Sequence, residues 1–80
     1  MNKEELIQRL TPLVRTTFGN ENLVLNDAMN ASNTDGWTSL NFMRLLEAVE
    51  KEFGFKFKMM ELMGINDMGG LISAIEKHQL

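Results

Sequence analysis

Three stretches of this chain repeat apolar residues every three to four positions, and that spacing leaves few folds open. Leu6, Ile7, Leu10, Leu13, Val14 and Phe18 make the first; Leu40, Met43, Leu46, Val49 and Phe53, widened by Phe42 and Leu45, make the second; Met68, Leu71, Ile72 and Ile75 make the third. An apolar residue at every turn marks a helix that buries one face. Phe55 and Phe57 alternate with Lys56 and Lys58, but no second alternating run exists to pair with them. They read as an extended connection that delivers two aromatic rings to the core. The pattern predicts an all-α fold, a small bundle of three principal helices plus one short helix.

Local signals set the expected boundaries. The first helix spans about Lys3 to Phe18; Pro12 lies inside it, and because Leu13 and Val14 continue the stripe, a kink is expected rather than a stop. Gly19 and Asn20 punctuate its end. From Gly19 to Thr38 the chain is polar and without period, and Leu25 and Met29 are the side chains expected to pin it. The second helix spans about Ser39 to Phe53 and stops at Gly54, with Glu47 and Lys51 as an outward i, i+4 pair and with Leu46 and Val49 at the centre of its buried face. Met59 to Met63 form the short helix, closed by Gly64. Asn66 or Asp67 caps the last helix, and Gly69 and Gly70 weaken its first turn.

At 80 residues the chain reads as one domain over 1–80. A domain of that size buries only about 60% of the surface its unfolded chain exposes, so its core is thin. Cysteine is absent, which excludes disulfides, thiol catalysis and cysteine-based zinc sites. The formal net charge is −3 and no basic stripe appears, which argues against nucleic acid; Lys51, Lys56 and Lys58 read as a solvated surface. No apolar run spans a bilayer and "MNKEELIQRL" lacks a signal peptide's apolar core, so a cytoplasmic monomer is expected.

Enzymatic chemistry finds little footing. His78, the one histidine, is near the C-terminus and reads as a partner of the last helix's dipole. No carboxylate pair, metal-ligand cluster or phosphate loop stands out. "NTDG" suggests a calcium loop, but with Gly36 at its centre the end ligands would be Ala31 and Phe42, which cannot coordinate calcium. What remains is "DGWTSLNF", residues 35–42, where a polar loop meets a helix start. Thr38 or Ser39 could cap that helix. Capping needs one hydroxyl and two are present. If Thr38 caps, the Ser39 hydroxyl is free, beside backbone N–H groups and a positive dipole end that favour a phosphate.

At these residues the chain resembles the acyl carrier proteins. Thr38-Ser39-Leu40 matches that family's serine–leucine motif at the start of its second helix, with Trp37 where a large apolar residue is common. Glu52-Phe53-Gly54, the apolar pair Phe55 and Phe57, and "INDMGGLISAI" match further on. The resemblance implies a carrier and not an enzyme. A phosphopantetheinyl transferase would move 4′-phosphopantetheine from coenzyme A to Ser39, and acyl- or aminoacyl-loading and acyl-processing enzymes would act on the thioester it carries. Trp37, Thr38, Leu40, Asn41 and Arg44 are the implied recognition residues. Two departures stand out: Thr38 replaces the usual aspartate, and Asn41 and Arg44 stand where carboxylates are common. Steering by opposite charge is therefore expected to be weak. The methionines Met43, Met59, Met60, Met63 and Met68 are expected to fill an ordinary core rather than line a cargo cavity. The competing readings are an unmodified carrier-like interaction module, an unrelated helical adaptor in which Ser39 is only a cap, and, more distantly, a minimal hydrolase.

Overall fold

The computed structural model describes residues 1–79 and contains α1 (Lys3–Phe18), α2 (Ser39–Phe53), α3 (Met59–Met63) and α4 (Met68–His78), with no strand among those residues. Each boundary has a local cause. Asn2 caps α1 by accepting the Glu5 N–H at 2.8 Å, and Asp67 caps α4 by accepting the Gly70 N–H at 2.7 Å. Gly19 and Gly54 end α1 and α2 in the left-handed conformation. The first helix runs unbroken through Pro12, which is exposed, as is Gln8 one turn before it, whose carbonyl the proline offers no N–H.

The core forms where α1 lies against α2 and α4. Leu6, Leu10 and Val14 of α1 meet Leu45 and Val49 of α2 and Met68, Leu71 and Ile75 of α4 in one buried cluster. This bears out Val49 and Phe53 as buried residues of α2 and corrects the rest of its expected face. Its inward face is Leu45, Val49 and Phe53, with Phe42 and Leu46 only half-buried, while Leu40 and Met43 face outward. The methionines divide as well: Met68 is wholly buried, but Met43, Met59, Met60 and Met63 are exposed, so they neither fill a core nor line a cavity within it. The expected Glu47–Lys51 pair is not among the ion pairs of the described residues. Glu50 instead approaches Lys56 at 3.6 Å, and Glu52 meets Arg9 of α1 at 2.9 Å.

Residues 20–38 hold their shape through asparagine. Asn20, Asn26 and Asn30 each accept the backbone N–H two residues ahead, at 3.0, 3.1 and 2.8 Å. Such turns let an irregular backbone satisfy its own polar groups. Leu23 and Met29 are the buried anchors, and Leu25 is half-buried. The loop in turn completes α4. The first N–H groups of a helix have no partner within it; here Met68 donates to the Met29 carbonyl at 2.8 Å and Gly69 to the Asp27 carbonyl at 3.1 Å. A Cβ on Gly69 would stand 3.1 Å from the Asp27 Cβ, so the glycine that weakens the helix locally admits the strand of loop that caps it.

The short helix α3 buries none of its own residues and is tied down by polar contacts. Glu61 accepts the Lys58 N–H at 2.8 Å and meets His78 Nε2 at 2.8 and 2.9 Å. These contacts, the Lys58 N–H first and His78 second, hold the Glu61 carboxyl below its ordinary range. The His78 ring also stacks on Phe55, 4.2 Å between centroids. His78 stands in the last turn of α4, as the dipole reading expected, and in addition makes a specific bridge from α4 to α3.

Candidate functional site

The segment 35–42 is held from three directions. Trp37 is only 8% exposed. Its ring lies nearly parallel to that of Phe42, at 5.4 Å and 14°, and touches Phe18 of α1 at the same separation. Trp37 is thus a core residue that fixes where α2 begins, and it is not open to a partner as the sequence suggested. Stacked and tilted aromatic pairs of this kind add direction to simple burial. Gly36 closes the turn: its carbonyl accepts the Thr38 N–H at 3.0 Å and the Asn41 side-chain amide at 2.9 Å. Asn41 is accordingly half-buried and braces the loop.

Thr38 is the cap. Its backbone is extended, and its Oγ1 accepts the Asn41 N–H at 3.1 Å. Ser39 follows as the first helical residue and is exposed; no hydrogen bond among the described residues engages its hydroxyl. The two adjacent hydroxyls have separate positions, one facing back into the helix end and one free. Leu40 and Arg44, also named from the sequence, are exposed beside it.

The electrostatics suit an anion at Ser39. Cap and turn leave the Ser39 and Leu40 N–H groups without acceptors among the described residues, and no acidic residue stands in the first turn of α2. Free N–H groups and the dipole at a helix N-terminus attract a phosphate oxygen. The residues present therefore fit a phosphate group on Ser39 Oγ.

Removing the cap alone should be visible. Thr38→Val keeps the side chain's shape and deletes its acceptor, and is expected to lower stability by about 1 kcal/mol, whereas Thr38→Asp retains the acceptor and should hold or slightly raise stability. Thermal midpoints of the three proteins check this; an unshifted Thr38→Val would mean that Thr38 does not carry the cap.

Comparison with known proteins shows the family. Residues 8–75 match the family described as "Phosphopantetheine attachment site". Among solved structures, the chain is similar to the solution structure of a holo acyl carrier protein from Geobacter metallireducens, with 31% sequence identity and a TM-score of 0.81, over 89% of this chain and 82% of that one. No curated protein sequence matches the chain significantly.

Proposed function

The chain belongs to the phosphopantetheine-attachment family of carrier proteins, and from that premise we propose that Ser39 is its attachment residue. The cofactor of such a domain is covalently held 4′-phosphopantetheine, donated by coenzyme A. The observation that carries the assignment to Ser39 is the separation of Thr38 and Ser39: the threonine caps the helix at 3.1 Å, and the serine hydroxyl stands exposed and unbonded among the described residues.

Each residue of the segment then has a task. Ser39 supplies the oxygen of the phosphodiester: its hydroxyl attacks the pantetheine-bearing phosphorus of coenzyme A, the pyrophosphate P–O bond breaks, adenosine 3′,5′-bisphosphate leaves, and the serine's proton passes to a base of the transferase. The N–H groups of the first turn offset the phosphate's charge. Trp37, Gly36 and Asn41 keep the serine at one place and angle, which a transferase must find repeatedly. When bound, the arm supplies a terminal thiol that holds an acyl or aminoacyl group as a thioester, a nucleophile that this cysteine-free chain lacks. The protein itself catalyses nothing in this reading. It presents cargo to loading and processing enzymes of fatty-acid, polyketide or related biosynthesis.

The test is intact mass after incubation with coenzyme A and a broad-specificity phosphopantetheinyl transferase. Wild type is expected to gain one phosphopantetheinyl group, and Ser39→Ala none, with its helical circular dichroism unchanged. A mass gain in Ser39→Ala would place the attachment on another residue. No gain in wild type with any transferase would favour an unmodified interaction module.

A further inference from the structure

Five large apolar side chains on α2 and α3 are exposed: Leu40, Met43, Met59, Met60 and Met63. Those on α2, Leu40 and Met43, follow the serine within about one helical turn. Residues three and four apart are neighbours on a helix surface, so Met43 lies one turn from Ser39, Leu40 sits beside Met43, and Arg44 lies one turn from Leu40. Leu40 is 58% and Met43 63% exposed, so folding gains little from either. The charge pattern is equally uneven. The chain has 11 acidic residues, yet none falls between Ser39 and Leu46, and the first charge on α2 is the cation Arg44. Among the described residues, Arg44 belongs to no ion pair.

We infer that the enzymes acting at Ser39, the phosphopantetheinyl transferase first among them, meet this face with an apolar socket edged by carboxylate rather than with a cationic patch. The inference rests on the reading of Ser39 as the attachment residue. An enzyme that reaches the Ser39 hydroxyl must cover side chains one helical turn away, about 5.4 Å along the axis, and those side chains are Leu40, Met43 and Arg44. A protein surface is therefore the occupant that continuity with the serine favours. Methionine is flexible and polarizable, which lets one surface adapt to several enzymes in turn. Arginine offers a planar fork of donors that matches a carboxylate and fixes the orientation of docking. Leu40 and Met43 supply affinity, and Arg44 sets the register.

Arm transfer by a broad-specificity transferase at saturating coenzyme A tests this, with the carrier concentration varied. Met43→Gln is expected to raise KM for the carrier about tenfold and Arg44→Glu about fivefold, with kcat unchanged in both, as for removal of central contacts in an interface. Wild-type KM should rise by less than about fivefold between low and high salt, because the exposed Arg44–carboxylate contact is screened and the apolar contact is not; a steeper rise would overturn the inference by making charge the main attraction. Circular dichroism of both variants should match wild type, since both positions are exposed. Equal KM values for all three proteins would overturn the inference while leaving Ser39 modified and its assignment intact. A lower KM for Arg44→Glu would overturn it by revealing a cationic partner surface. A wild type that sediments as a dimer, with Met43→Gln monomeric, would assign the face to a second copy instead. No mass gain in wild type would remove both the inference and the assignment beneath it.

Discussion

Replacing Leu45 with alanine is expected to lower stability by about 2–5 kcal/mol, the range for deleting a wholly buried leucine and leaving a cavity. Leu45 is 0% exposed and sits in the cluster shared by α1, α2 and α4. The total available to a chain of 80 residues is about 4–12 kcal/mol, so the variant should be marginal at room temperature. The next residue gives the contrast. Leu46 lies about 100° further round the helix and is half-buried, so its truncation should cost less than that of Leu45. Leu40→Ala, at an exposed position, should stay within about 0.5 kcal/mol of wild type. Urea midpoints for the three variants, read at a common slope, decide the order. A loss below about 1 kcal/mol at Leu45, with a larger one at Leu46, would mean that α2 is rotated from the orientation described here.

That contrast also explains where the sequence misled. Two apolar stripes run along α2, one through Leu40, Met43 and Leu46 and one through Phe42, Leu45, Val49 and Phe53, and both repeat at helical spacing. Periodicity reports that a face is apolar and is silent on whether the protein's own core or another molecule covers it. A helix that carries both kinds of face cannot be oriented from its spacing alone. The helix ends were legible for the opposite reason. Gly19, Gly54 and Asp67 act through their own backbone or the next turn, and Thr38 does the same, although only the 3.1 Å bond to Asn41 separates it from Ser39 as the cap. Contacts between distant segments were not legible. Nothing local announces that Glu61 meets His78 17 residues on, or that the carbonyls of Asp27 and Met29 complete the start of α4. Trp37 shows both sides of the matter. Its place before the serine was plain, but its role as an anchor depends on Phe18, which the long loop brings beside it.

Gly36→Ala should be the most damaging change close to Ser39. Its φ of +86° lies in the left-handed region, where a side chain costs roughly 1–2 kcal/mol. The larger difficulty is space. A Cβ on Gly36 would stand 2.4 Å from the Phe18 carbonyl oxygen and 3.0 Å from the Phe18 Cβ, and backbone at the end of α1 cannot swing aside as a side-chain tip could. Either α1 and the loop separate or the turn opens, and a forced shift of that kind typically adds about 1–3 kcal/mol. Gly54→Ala is the control. Its φ is +74°, but nothing lies within 4 Å of the added atom, so only the conformational cost applies. The two variants should also differ in function. The Gly36 carbonyl holds the Thr38 N–H and the Asn41 amide, so opening the turn releases the residues on either side of Ser39. A displacement of that order at a reacting group can cost on the order of 100-fold in rate. Arm transfer to Gly36→Ala, measured at a temperature where the variant remains folded, is expected to be at least tenfold slower than to Gly54→Ala. Equal midpoints and equal transfer rates for the two variants would show that the contact of Gly36 with Phe18 does not set the position of the serine.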